Sequence, residues 1–148
     1  MKRLRRILHA TDFSQASGAA FSEAVARARR DRARLFILHV LLPASPFLGG
    51  DVNLPPSYLE LQARARRQAE RRLEILINSA RRQGVSAEGR LASGAPAQDI
   101  LRWARRKRAD LIVIGTHGRS ALGRFFLGSV AERVVRLSPI PVLTVRGR

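Results

Sequence analysis

The 148-residue chain contains no cysteine. Disulfides, thiolate metal sites and a cysteine nucleophile are therefore excluded, and the sequence is compatible with a reducing compartment. Aromatic residues are scarce, at 5% of the chain, and lysine occurs only at Lys2 and Lys107. Long apolar runs are missing too. The uncharged stretch from Leu35 to Gly50 is broken by His39, two prolines and a Gly-Gly pair. It falls short of the roughly 20 apolar residues that a membrane-spanning helix needs. Arg3, Arg5 and Arg6 leave no secretory apolar core behind them, so no signal peptide is expected and a cytoplasmic location is. Acidic residues are few as well: 11 against 28 basic ones, for a net charge of +17.

What is present is globular. Apolar residues make up 45% of the chain, and its length suits one domain over residues 1–148 with one sizeable core. Five short apolar runs stand out, at Leu4–Ala10, Arg34–Leu42, Val85–Ala92, Asp110–Gly115 and Ile140–Arg146. The second, fourth and fifth are nearly continuous and rich in β-branched residues, as strands buried on both faces are. In the third, Glu88 and Arg90 alternate with apolar neighbours, which suits an edge strand with one wet face.

Helical patterns fill the gaps. Ser14 is expected to cap a helix reaching about Arg32, with Ala20, Ala24 and Ala28 on one face. Ser57 is expected to cap a longer one that ends at Gly84. A third opens at Pro96 and a fourth near Ser129, the latter stopped by Ser138-Pro139. Strands alternating with helices predict an α/β fold: a doubly wound, five-stranded parallel sheet with helices on both faces. Residues 43–56, rich in proline and glycine, read as a long variable loop.

One segment carries candidate chemistry. A buried strand ends at Gly115, glycines recur at Gly118 and Gly128, and Ser129 opens the next helix, a spacing of Gly-x2-Gly-x9-Gly-Ser. Ligands of open α/β sheets bind beyond the carboxyl ends of the strands, where the chain order reverses. Gly115 at such an end lets a ligand approach the backbone. The amides of Gly128, Ser129 and Val130 are expected to be orphan donors at a helix start, which with the helix dipole form an anion site. Arg119 and Arg124 can neutralise phosphate charge. The same segment is also compatible with an ordinary turn-rich loop.

The spacing resembles the ATP-binding signature of the universal stress protein family. The likeness continues through Ile7-Leu8-His9-Ala10-Thr11-Asp12-Phe13-Ser14, Leu38-His39-Val40, Gly94-Ala95-Pro96, the run Ala109–Ser120, and Pro141-Val142-Leu143-Thr144-Val145. Only the loop around residues 43–56 has no match. The resemblance implies a Rossmann-like sheet, of the kind shared with adenine nucleotide alpha hydrolases, in strand order 3-2-1-4-5. It implies ATP, with Mg as an accompanying cation. Ala10 and Asp12 would lie beside ribose and adenine, with Asp12 holding the ribose or the metal. Val40 would read the adenine edge. Gly115, His117, Gly118 and Arg119 would line the phosphate path, and Gly128, Ser129 and Val130 would cradle the phosphates. The implied role is a nucleotide-dependent regulatory or stress-response module acting through conformation or a protein partner.

Several residues keep two readings. Asp12 is equally suited to an Asx turn ahead of Ser14. His9 and His39 lie inside apolar strands and read as packed core histidines. His117 either contacts phosphate or hydrogen-bonds its own loop. No nucleophile–base pair, no paired carboxylates and no Gly-Lys-Ser/Thr phosphate loop occur, so catalytic residues are none and any ATP hydrolysis is expected to be slow. The competing roles are a slow ATPase and a basic nucleic-acid-binding protein. The arginines fall in three helices on both faces of the inferred sheet, with only Trp103 near any cluster. That offers no base-stacking platform, and nucleic acid is not the expected partner. The last strand should be an apolar edge, a hazard when bare. Its pairing with a second copy predicts a homodimer through residues 140–146.

Overall fold

The computed structural model describes residues 3–43, 54–117 and 127–147. The chain alternates β1 (Arg6–Ala10), α1 (Gln15–Asp31), β2 (Arg34–Leu41), α2 (Pro56–Arg82), β3 (Ala87–Ser93), α3 (Pro96–Arg106), β4 (Leu111–Gly115), α4 (Ser129–Leu137) and β5 (Val142–Val145). The strands form one five-stranded sheet in the order β3-β2-β1-β4-β5, with every neighbouring pair parallel. Both the topology and the edge position of β3 agree with expectation. Of the loop 43–56, residues 44–53 lie outside the described residues.

β1 sits at the centre because it is apolar on both faces. Ile7 faces one cluster with Leu35, Ile37 and Val113, covered by α1 and α2. Leu8 faces the other with Phe36, Leu38 and Ile112, covered by α3 and α4. Ile7, Leu8, Leu35, Ile37 and Ile112 are wholly removed from solvent, each contributing about 1.5–3 kcal/mol relative to exposure. Ala20, Ala24 and Ala28 are buried on α1 at successive i, i+4 positions, and their small side chains let that helix lie close against the sheet.

The helix ends are set by local chemistry. Ser14 is the α1 N-cap, and its hydroxyl accepts from Ser17 N at 3.2 Å. Arg32 closes α1 in the left-handed region at φ 53°. Ser57 is not the cap of α2. Pro55 takes that position and Pro56 the first helical one, where the fixed proline φ and its missing N–H cost nothing. Gly84 follows α2 at φ 79°, the left-handed conformation that ends helices and suits glycine. No helix among the described residues is long and apolar enough to cross a membrane.

Candidate nucleotide site

The carboxyl ends of β1, β2 and β4 and the start of α4 meet at one edge of the sheet. Ala10 pairs with Leu38 on one side and Ile114 on the other. The order of the strands reverses at β1 and β4, so the crevice between their ends is the switch point of the fold.

Ala10, Val40 and Val130 belong to a common apolar wall. Ala10 is buried in the core cluster under α3 and α4, and Val40 and Val130 pack against it half-buried. Asp12 accepts from Ser14 N at 2.9 Å, the Asx turn that its sequence position allowed. Thr11 is buried and its hydroxyl accepts from Phe13 N at 3.0 Å and Ser17 Oγ at 2.7 Å. These bonds hold Phe13 at φ 62°, a left-handed conformation that a phenylalanine rarely adopts and that concentrates at functional sites. The Phe13 ring lies 4.5 Å from that of His39, and the Arg72 guanidinium lies 4.9 Å from the Phe13 centroid. Nothing in the sequence pattern marks Phe13, Thr11 or Arg72, because left-handed strain and a contact from the middle of α2 have no periodic signature.

His39 Nδ1–H donates to Thr11 O at 2.7 Å, so this histidine fastens the end of β1, in keeping with a packed role. His9 is fully buried, and its Nδ1–H donates to Val113 O at 3.1 Å. Burial lowers its pKa to about 4, against smaller raising effects from the Val113 carbonyl and Asp12. The ring is therefore neutral near pH 7, and its buried Nε2 has no partner among the described residues.

On the β4 side, Thr116 N donates to Val145 O at 2.9 Å, and Thr116 Oγ1 and His117 Nδ1 share a hydrogen bond of 2.8 Å. Ser14 Oγ donates to His117 O at 3.5 Å, tying this loop to the α1 cap. His117 Nε2 is buried and unpartnered among the described residues whichever tautomer is present. His117 thus bonds its own loop through one nitrogen, and the other has no partner among the described residues.

The surroundings of two glycines bear on the site. A Cβ on Gly115 would stand 2.9 Å from the Ala16 carbonyl carbon and 3.0 Å from Ser17 N. The close approach of α1 is by itself enough to require glycine there. The Gly128 amide is not an orphan, for it donates to Thr116 O at 2.6 Å. Ser129 and Val130 remain first-turn amides with no intrahelical acceptor, while Glu132 N closes the first turn on Gly128 O at 2.8 Å. Gly118, Arg119 and Arg124 lie outside the described residues. Also among the described residues, no group of three metal-ligating side chains gathers anywhere.

The strand order β3-β2-β1-β4-β5 puts the switch point of a doubly wound parallel sheet between the ends of β1 and β4, the place where sheets of this class bind ligands. The universal stress protein family matches residues 3–146, and the chain belongs to that family. It is 37% identical to the universal stress protein YxiE of Bacillus subtilis over 145 residues, covering 95% of this chain and 98% of that one. The solved structure of protein MJ0577 superposes with a TM-score of 0.85 at 25% identity, covering 99% of both chains. A universal stress protein solved in complex with cAMP superposes with a TM-score of 0.70 at 26% identity, covering 99% of this chain and 100% of that one.

Proposed function

We propose that this protein binds ATP, accompanied by Mg, at the carboxyl edge of β1 and β4, and acts as a nucleotide-dependent regulatory module of the cytoplasm. The observation that carries this reading is His117 Nε2, buried and unpartnered among the described residues, next to Thr116, whose carbonyl accepts from the α4 N-cap Gly128. A polar atom left unsatisfied in a crevice costs stability unless a ligand completes it. The apolar wall of Ala10, Val40 and Val130 suits adenine. The Ser129 and Val130 amides, with the α4 dipole, suit phosphate. Gly118 and Arg119 complete the phosphate path in the motif, and Gly115 and Gly128, which carry no side chain, leave room for it. That a relative 26% identical takes cAMP supports an adenine nucleotide here. The absence of a nucleophile–base pair in the sequence favours binding over turnover, and a homodimer through β5 presents two such sites to a partner.

Calorimetric titration of the purified chain with ATP and Mg tests the reading. Gly128 has φ −59° and ψ 150°, which any residue can adopt, so Gly128→Val should fold. Its side chain would enter the phosphate space and abolish binding. A folded Gly128→Val protein with unchanged ATP affinity overturns the site. Phosphate release at rates above the background of ATP alone would replace the regulatory reading with an ATPase.

A further inference from the structure

The charge of +17 rests almost wholly on arginine, and the fold decides where that charge goes. In an all-parallel sheet each helix carries the chain back, so every helix ends where the next strand begins. Arginines fill those ends: Arg29 and Arg30 in α1, Arg81 and Arg82 in α2, Arg105 and Arg106 in α3 and Arg136 in α4. β1 and β2 themselves begin with Arg6 and Arg34. The arginines are spread over helices on both faces, as the sequence indicates, yet the topology brings their ends to one pole. That pole is opposite the nucleotide site.

A recess of about 620 Å³ opens there, lined by Arg5, Arg6, Arg34, Arg106, Lys107 and Arg108 around Phe36. Among the described residues one carboxylate pairs with two of these six cations, and a second is bound to their backbone. Glu88 takes Arg34 at 2.7 Å and also Lys107. Asp110 accepts the backbone amides of Arg5 and Arg6 at 2.8 Å. Arg5, Arg106 and Arg108 make no ion pair among the described residues. Arg6 Nε donates to Arg108 O at 3.0 Å and holds that turn, in which Arg108 stands at φ 52°. Interaction with helix dipoles accounts for cations in last turns. It does not account for Arg5, Arg6, Arg34 and Arg108, which lie on strands and a loop.

From this arrangement we infer that the amino-terminal edge of the sheet is a docking surface for the phosphate backbone of double-stranded nucleic acid, bound without regard to sequence. Guanidinium groups pair with phosphate oxygens through two parallel hydrogen bonds and remain charged throughout. Neither the Phe36 ring in the recess nor the Trp103 ring against it is available to splayed bases. Phe36 and Trp103 are 3% and 6% exposed, and Lys107 Nζ lies 5.0 and 5.5 Å from their centroids. A single strand would gain no stacking there, whereas a duplex presents phosphates and keeps its bases inside. A convex ridge of phosphates can enter a concave recess, and a flat lipid surface cannot.

The test is fluorescence anisotropy of the full chain with a labelled random-sequence duplex across a salt series. The logarithm of affinity should fall linearly with the logarithm of salt, by about 0.9 per phosphate neutralised. Replacing Arg5, Arg106 and Arg108 together by Gln should weaken binding at low salt by about a hundredfold and flatten that slope by about three, one for each phosphate no longer neutralised. The same charge removed by Arg64→Gln, Arg67→Gln and Arg71→Gln, all exposed in the first two-thirds of α2, should leave affinity within about threefold. Should the first triple variant lose its far-ultraviolet dichroism, the pair Arg106→Gln and Arg108→Gln carries the same expectation with a slope change of about two. ATP affinity should be unchanged in all of them, which separates failure at this pole from failure at the nucleotide site. Equal weakening by both triple variants would reduce the effect to net charge and overturn the proposal. Tighter binding to phosphatidylglycerol vesicles than to duplex, abolished in the same variant, would overturn it in favour of a membrane surface.

Discussion

At the scale of single residues, two side chains give sharp expectations. Asp12 holds the turn through Ser14 N and stands at the end of the central strand. Asp12→Asn keeps the acceptor and removes the charge. Its thermal stability should stay near that of the parent, while ATP affinity in Mg falls by about 1–3 kcal/mol, the scale for losing a charge-assisted bond. Equal calorimetric affinities would return Asp12 to the turn alone. His9 makes stability depend on pH. Its folded-state pKa of about 4 lies below the ordinary 6.5, so between these values the unfolded chain takes up a proton that the folded one refuses. The contribution is complete above about pH 6.5 and is lost as pH falls toward 4, in total about 3 kcal/mol. Urea midpoints at pH 7.5 and pH 5 should therefore differ less in His9→Phe than in the parent, and an identical difference would remove His9 as the cause. The sequence made both residues visible, and with Asp12 its turn to Ser14, but not the Val113 carbonyl that His9 meets across the sheet. Likewise Gly115 was conspicuous, yet its reason, the backbone of α1 at 2.9 Å, involves a helix almost a hundred residues away in the chain. The Gly128 amide was spent on Thr116 for a similar reason: a loop closing on itself is not written in residue spacing.

At the scale of elements, the alternation of strand and helix was legible because each strand is a short apolar run and each helix repeats at its own period. The boundaries were read less well where two signals overlap. Ser57 is a good cap by type, but Pro55 and Pro56 stand just ahead of it, and a proline pre-set for the first turn starts α2 earlier. β5 carries the element-scale prediction. Ile112 N and Thr116 N donate to Pro141 O and Val145 O, so odd-numbered residues of β5 turn their backbone groups toward β4. Val142 and Thr144 turn theirs to the free edge. Thr144→Pro removes an outward donor and leaves the β4 ladder intact, as proline on an edge permits. Light scattering at micromolar concentration should show a dimer for the parent and a monomer for this variant. A dimer that survives Thr144→Pro would place the interface elsewhere. Substitution of Leu143 or Val145 is a poorer test, because both pack against the core under α1 and α2.

At the scale of the whole molecule, the gathering of arginines at one pole could not be read from their scatter along the chain. It appears only once strand direction is known, because a shared direction turns many separate helix ends into one surface. The sheet order has another consequence, this one in time. Of the five strands the central one leaves the ribosome first, and β2, β3 and the two helices covering one of its faces follow soon after. Its other neighbour comes much later: His9 and Val113, bonded across β1 and β4, are 104 residues apart. Until β4 and α4 have been synthesised, Leu8, Phe36 and Leu38 have no complete cover, so the nascent chain passes through a long interval with one greasy face open to chaperones and proteases. Ribosome-bound chains arrested just before Asp110 should be digested rapidly in a pulse of protease, and chains extended beyond β5 should resist. Equal resistance at both lengths would mean that half of this sheet can stand alone during its own birth.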